Sequence, residues 1–234
     1  MLVHSLFDLL AWIVAAAMAW WIGRRGWLTT AIRLSPGRDP GYFIALSLGA
    51  IAGAVLIGSL NLDLAGQSLL GHSIAGALFG GVTAVELFKR ATGLRGSTGL
   101  RLVAPLAIGI AVGRLGCFFA GLPDYTYGVA TGLPWGVDFG DGIHRHPVQL
   151  YESLAMLGFL AVFLAGIARS SPLFLRHGFY LFVGWYALQR FAWEFLKPYP
   201  TVAGPLNLFH LVSLVLLAYS ALMLWQSHEP GAAQ

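Results

Sequence analysis

Residues 102–121 read LVAPLAIGIAVGRLGCFFAG, an apolar stretch with a single charged side chain, Arg114. A stretch of this length can cross roughly 30 Å of hydrocarbon as an α-helix. A charge inside such a helix is costly, by roughly 2.5 kcal/mol or more at the bilayer centre, and it usually marks an ion, substrate or lipid pathway. The stretch therefore predicts a membrane-spanning helix that carries a functional arginine.

The rest of the composition agrees with a membrane protein. The 234 residues are 57% hydrophobic and 10% charged, whereas soluble domains carry about 25% charged residues. We predict an all-α polytopic membrane protein, a bundle of seven transmembrane helices in one domain over residues 1–226. The predicted spans are about 6–22, 42–60, 72–88, 102–121, 147–168, 177–196 and 206–225, with a short outer loop at 122–146 and a disordered tail at 227–234.

The positions of the cations predict the topology. Ten of the 14 Lys and Arg residues fall in loops on one side of the predicted spans, and that side is cytoplasmic by the positive-inside rule. The N-terminus is then outside and the C-terminus cytoplasmic. Short basic loops between spans do not form a nucleic-acid-binding stripe, so we expect no nucleic acid partner. Cys117 is the one cysteine, which excludes an intrachain disulfide, and no cleavable signal is evident before the first span.

Pairs of glycines four residues apart occur in three of the predicted spans. Such spacing lets helices approach closely in a membrane. We therefore expect spans two, three and four to form a compact bundle. The pairs are Gly49/Gly53, Gly76/Gly80 and Gly109/Gly113.

Polar residues of four predicted spans fall at one depth, near the outer surface. Span six carries Tyr186, Arg190 and Glu194 at every fourth position, so they share one helix face. The others are Arg114 in span four, His72 at the start of span three, and His146, Gln149, Tyr151 and Glu152 at the start of span five. Two arginines at this depth suggest an anionic ligand, because guanidinium groups bind phosphate in two-point geometry. A phospholipid headgroup is the anion available there.

Simpler interpretations remain open for single residues. Arg190 and Glu194 suit a structural ion pair, His72 and His146 suit helix-end positions, and Cys117 suits a small buried side chain. A metal site at Asp141, His144 and His146 is a weaker alternative, because Arg145 lies between the two histidines.

Two motifs together resemble a known family. The run Gly113-Arg114-Leu115-Gly116-Cys117-Phe118, followed by Gly121 and Pro134-Trp135-Gly136, and the run His146-Pro147-Val148-Gln149-Leu150-Tyr151-Glu152 resemble the core of the prolipoprotein diacylglyceryl transferases. The resemblance covers about half of the chain, from His72 to Glu194. Cys117 stands where that family usually has an asparagine, and Leu122 stands where it has an acidic residue, with Asp124 close by.

The resemblance implies an activity and its partners. Members transfer the diacylglyceryl group of phosphatidylglycerol to the lipobox cysteine of a preprolipoprotein signal peptide and release glycerol phosphate, on the outer face of the bacterial inner membrane. The implied partners are phosphatidylglycerol, that signal peptide and membrane lipid. We expect no cofactor and no metal. Alternatives are a divergent paralogue with another acceptor, or a non-catalytic protein that binds or transports phospholipid.

Roles follow for the candidate residues. We expect Arg114 and Arg190 to hold the phosphate and His72 to act as base, with His146 as the second candidate, since imidazole titrates near neutral pH. Cys117 as a covalent nucleophile is less favoured. The remaining substrate-binding candidates are Tyr186, Glu194, Gln149, Tyr151, Glu152, Cys117 and Gly113.

Overall fold

Seven α-helices dominate the computed structural model, which describes residues 2–227. Part of the tail predicted as disordered, residues 228–234, lies outside the described residues. The helices are α1 Leu2–Arg25, α2 Pro40–Leu64, α3 Ile74–Thr92, α4 Val103–Ala120, α5 Val148–Ala168, α6 Pro172–Glu194 and α7 Leu208–Gln226.

Five of these helices are long and apolar enough to cross a membrane: α1, α2, α4, α5 and α7. The finding agrees with a polytopic membrane protein. Helices α3 and α6 fall outside that group, and they carry charged residues such as Lys89 and Arg190. Seven spans, and the orientation of the termini, therefore stay predictions.

Local sequence signals set the helix boundaries. The Ser73 side chain accepts a hydrogen bond from the Gly76 backbone N–H and caps α3. Gly93 ends that helix with a left-handed φ of 72°. Helix α6 begins at Pro172, whereas the sequence predicts a span from about 177. Proline fits the first turn of a helix, where no backbone N–H is required, and it extends α6 toward α5.

The core lies among α4, α5, α6 and α7. Val103, Phe163 and Phe182 are completely buried there, and Leu216 of α7 is 1% exposed. Helices α1 and α2 lie at the periphery and present large apolar side chains outward, with Trp12 77% exposed. Apolar surface of this extent is expected where a protein faces lipid or a partner.

Helices α2 and α3 approach so closely that their backbones touch. A methyl group added to Gly53 would lie 2.2 Å from the carbonyl oxygen of Gly76, and one added to Gly80 would lie 2.1 Å from that of Gly49. Two of the predicted glycine pairs thus form one interface. The third pair does not: a methyl group on Gly109 would make ordinary contact with α1, and Gly113 faces open space.

Two small hairpins occupy one end of the bundle. Strands β1 Val137–Asp138 and β2 His144–Arg145 pair between α4 and α5, and β3 Thr201–Ala203 pairs with β4 Leu206–Asn207 between α6 and α7. The Val129 N–H donates to the carbonyl of Leu196, which ties the two connections together. We call this end, formed by residues 121–147 and 195–207, the loop end.

The α2–α3 contact gives the first prediction. Gly53→Ala will lower the unfolding temperature in detergent, because overpacking of this kind costs about 1–3 kcal/mol. Thermal unfolding of the purified protein measures the change.

Gly158→Ala is the matched control. Gly158 lies in α5, and an added methyl group meets nothing within 4 Å, so its unfolding temperature will equal or exceed that of the wild type. Equal stability of Gly53→Ala and wild type would contradict the close backbone contact.

Candidate functional site

Five buried charged residues lie together at the loop end of the bundle. We call them the charge cluster: Arg114 from α4, Glu152 from α5, Arg190 and Glu194 from α6, and Lys197 from the following turn. All are between 1% and 5% exposed. Their burial is unusual, because charged side chains are almost never fully buried unless they are paired.

Glu152 joins the cations of the cluster. One of its oxygens lies 2.9 Å from Arg114 Nε, and the other lies 2.5 Å from Arg190 Nη1 and 2.9 Å from Lys197 Nζ. Glu194 adds a contact of 2.6 Å with Arg190 Nη2, one turn away on α6. The two arginines predicted to hold phosphate therefore face each other across one carboxylate. Each arginine therefore has a carboxylate in direct contact.

The cluster carries more positive than negative charge. Three cations face two carboxylates, which leaves a net charge of +1 when all five are ionised. An uncompensated charge is expensive in a buried site, at several kcal/mol even after relaxation. The cluster is therefore suited to an anion as its remaining partner.

Two hydrogen-bond donors, one in the charge cluster and one beside it, lack acceptors among the described residues. Arg190 Nε and the Tyr186 hydroxyl are buried, and neither makes a hydrogen bond there. Tyr186 lies one turn before Arg190 on the same face of α6. A buried donor without an acceptor costs about 1–3 kcal/mol, so both groups are available to the oxygen atoms of a ligand.

The start of α7 holds the cluster in place. The Asn207 side-chain amide donates to Glu194 Oε2 at 3.0 Å, and Asn207 also caps α7. The Phe209 ring lies 4.8 Å from Arg190 Cζ, within range of a cation–π contact. The start of α7 therefore contacts Arg190 directly through Phe209 and indirectly through Glu194.

The motif at the start of α5 supplies a second polar group. The Trp135 indole N–H donates to the Tyr151 hydroxyl at 2.8 Å, and His146 Nδ1 lies 3.4 Å from the same oxygen. Gln149 is completely buried and donates to Thr126 at 3.3 Å. Residues 146–152 thus bind the connection between α4 and α5 through Trp135 and Thr126. Glu152, one turn after Val148, points into the bundle.

Three other predicted residues take no part in the ion pairs of the charge cluster. His72 is exposed in the turn before α3, and among the described residues no hydrogen bond or ion pair joins it to the charge cluster. Gly113 faces open space. Cys117 is 8% exposed; Arg114 Nη1 lies 3.9 Å from its sulfur and His4 Nε2 lies 3.8 Å from it.

In the metal site predicted as a weaker alternative, at Asp141, His144 and His146, one of the three ligands is already paired with a cation. Both Asp141 oxygens accept hydrogen bonds from the Arg145 guanidinium at 2.7 Å, and these bonds lower the pKa of Asp141 below its ordinary value. Among the described residues, Asp141, His144 and His146 are not brought together as a metal-binding group.

Two residues of the site were missed in the sequence. Lys197 follows predicted span six and is not among the candidates, although its spacing of three from Glu194 and seven from Arg190 is a helical signal for the shared face. His4 gave no signal, because its contact with Cys117 joins residues that are 113 positions apart.

An apolar cavity of about 600 Å³ lies beside the site, between the α2–α3 pair and α4, α6 and α7. Leu102, which directly precedes α4, and Leu106 and Ile110 of α4 line it, and Ile110 precedes Arg114 by one turn. From Leu102 to Ile110 the cavity follows α4 for about 12 Å. Trp12 and Ile51 also line it and are largely exposed, so the cavity reaches the lateral surface between α1 and α2.

Comparison with known proteins identifies relatives. Residues 9–226 match the family model described as "Prolipoprotein diacylglyceryl transferase". Three relatives carry the name phosphatidylglycerol–prolipoprotein diacylglyceryl transferase. The one from Gloeobacter violaceus is 35% identical over 70% of this chain and 64% of its own length. The one from Solidesulfovibrio magneticus is 32% identical over 92% of this chain and 87% of its own length, and the one from Geobacter sulfurreducens is 29% identical over 87% and 84%. No solved structure matches.

The ion pairs around Glu152 give the second prediction. Glu152→Gln will destabilise the protein by about 3–5 kcal/mol, because it leaves three buried cations with one carboxylate. The measurement is thermal unfolding in detergent.

Asp141→Asn is the matched control. It removes a carboxylate from an exposed ion pair with Arg145, and exposed pairs contribute little to stability. Equal unfolding temperatures for Glu152→Gln and wild type would show that these ion pairs do not hold the bundle together.

Proposed function

The chain belongs to the prolipoprotein diacylglyceryl transferase family, and we propose that its charge cluster binds the phosphate of phosphatidylglycerol for transfer of the diacylglyceryl group. The acceptor is the thiol of a lipobox cysteine, and glycerol phosphate is released. This is the reaction for which the relatives are named.

The excess positive charge of the cluster carries this proposal. A phosphodiester supplies one negative charge, which matches the net charge of +1 left by the ion pairs. The free Arg190 Nε and Tyr186 hydroxyl supply donors for its oxygens. Glu152 and Glu194 then act on the substrate through the cations that they orient.

The cavity beside α4 supports a lipid as the ligand. It is lined mostly by apolar side chains, and its volume of about 600 Å³ is within the range of small-molecule sites. Because Ile110 lies one turn from Arg114, an acyl chain in the cavity would begin close to the phosphate. The exposed Trp12 and Ile51 mark the side from which lipid enters.

The chemistry is an alkyl transfer. The acceptor thiolate attacks the glycerol carbon that bears the phosphate, a C–S bond forms, and the C–O bond to phosphate breaks. Glycerol phosphate leaves with the electron pair of that bond. Preorganised cations stabilise the developing charge in a site with little water, and this is the role of Arg114 and Arg190. The thiol proton goes to a base, for which His72 is the first candidate and His146 the second.

The membrane arrangement is part of the same proposal. Seven spans place the N-terminus outside and the C-terminus in the cytoplasm. The loop end then faces the outside of the bacterial inner membrane, where a preprolipoprotein signal peptide presents its cysteine. Gln149, Tyr151 and His146 lie in the segment that covers this end, which favours them for contact with the peptide.

The phosphate site gives the third prediction. Arg114→Ala and Arg190→Ala will each lower transfer from radiolabelled phosphatidylglycerol to a lipobox peptide by roughly 10²–10³-fold, the cost of one oxyanion-stabilising donor. Arg114→Lys and Arg190→Lys keep the charge but lose the two-point geometry, so their transfer rates will lie between those of the Ala variants and the wild type.

Arg145→Ala is the control, since Arg145 lies in the exposed hairpin of the loop end. Unfolding temperatures identify variants that fail to fold. Wild-type transfer rates in both folded Ala variants would refute the phosphate site.

The base gives the fourth prediction. His72→Ala will slow transfer more at pH 7 than at pH 9, because a free thiol with a pKa of about 8.5 ionises without help at the higher pH. His146→Ala is assayed in parallel over the same pH range. If the transfer rate of one of these variants is a constant fraction of the wild-type rate from pH 7 to pH 9, the histidine that it lacks is not the base.

A further inference from the structure

Three metal-binding side chains meet at the loop end, outside the charge cluster. His4 of α1, Cys117 of α4 and Asp124 of the following turn each offer one donor atom, and these atoms lie within 4.8 Å of one another. We propose that His4, Cys117 and Asp124 form a Zn²⁺ site. None of these three residues belongs to the charge cluster, although Arg114 Nη1 lies 3.9 Å from the Cys117 sulfur.

The distances suit a single tetrahedral ion. His4 Nε2 lies 3.1 Å from Asp124 Oδ1 and 3.8 Å from Cys117 Sγ. Zinc bonds of about 2.0–2.3 Å in tetrahedral geometry place such donors roughly 3.3–3.6 Å apart. His4 Nε2 is therefore within a few tenths of an ångström of the tetrahedral spacing to each of the other two donors. An ion would also require Cys117 Sγ and Asp124, which lie within 4.8 Å of each other, to reach that spacing.

A second layer of contacts orients two of the donors. Asp8 Oδ2 lies 2.8 Å from His4 Nδ1, which directs Nε2 toward Cys117. The Thr126 hydroxyl donates to Asp124 Oδ2 at 2.5 Å, and Gln149 donates to Thr126. A carboxylate on the second nitrogen of a histidine and a hydrogen bond to a ligating carboxylate are typical supports of zinc ligands.

The donor types select the metal. Thiolate and imidazole favour Zn²⁺ over Mg²⁺ and Ca²⁺, which bind oxygen ligands. Thiolate and carboxylate together balance the charge of the dication. Three protein ligands also leave a fourth position open, which is the arrangement of a catalytic zinc site and not of a structural one.

The open position has a natural occupant. Zinc binds thiols as thiolates, and the proposed acceptor is a thiol, whose proton would pass to the base proposed above. The site would thus hold the lipobox cysteine in its reactive form next to Arg114. This consequence rests on the proposed function, whereas the zinc site itself does not.

Cobalt binding tests the site without an activity assay. The purified full-length protein in detergent is stripped with a chelator and titrated with Co²⁺. We expect one Co²⁺ per chain, a thiolate-to-cobalt charge-transfer absorption, and loss of this absorption on addition of Zn²⁺. Because Cys117 is the one cysteine of the chain, the absorption reports on this residue alone.

Variants locate the ion. Cys117→Ser will abolish the charge-transfer absorption, His4→Gln and Asp124→Asn will strongly weaken binding, and Asp8→Asn will weaken it by about 10–100-fold. His177→Gln is the matched control, because it removes an imidazole from the start of α6, away from the three donors. Thermal unfolding identifies variants that do not fold.

The wild-type protein provides a test that needs no variant. Zn²⁺ will slow alkylation of Cys117 by a maleimide, and Mg²⁺ at the same concentration will not. Unchanged alkylation together with no charge-transfer absorption would overturn the proposal and leave a histidine paired with Asp8 and Asp124 as the explanation of the cluster. If the wild-type protein binds Co²⁺ as expected but does not transfer a diacylglyceryl group to a lipobox peptide, the result would count against the proposed function alone.

Discussion

A single carboxylate organises the functional end of this protein. Glu152 contacts Arg114, Arg190 and Lys197, and so joins α4, α5, α6 and the turn after α6 through one buried group. Three cations at this separation would repel one another in an apolar bundle, and removing either type of charge leaves the other uncompensated. The ion pairs therefore hold the helices together and, because they leave one positive charge over, also prepare the site for an anion.

The rest of the fold places an apolar cavity within one helical turn of that charge. Backbone contact through Gly49, Gly53, Gly76 and Gly80 packs α2 and α3 into one rigid pair. This pair faces the core of α4, α6 and α7 across the apolar cavity. Because Arg114 lies one turn beyond Ile110, which lines the cavity, the proposed phospholipid would have its head at Arg114 and its chains in the cavity.

The loop end brings a different chemistry to the same location. Cys117 lies between Arg114 and His4, so it is the link between a region suited to phosphate and a region suited to a soft metal ion. The resemblance predicts an asparagine at this position. A thiol there, with an imidazole and a carboxylate in reach, changes what the site can bind without altering the helices that build it.

The sequence by itself determined the membrane character and the helices, because hydropathy and helical periodicity are properties of neighbouring residues. It singled out Arg114 and Arg190 as candidate site residues. It also indicated the polar stripe of α6. Only the tertiary structure decided that Glu152 forms ion pairs with the cations, that Lys197 is buried with them, and that His4 lies beside Cys117. These facts depend on the packing of segments far apart in the chain, and no local pattern records which buried charges become partners.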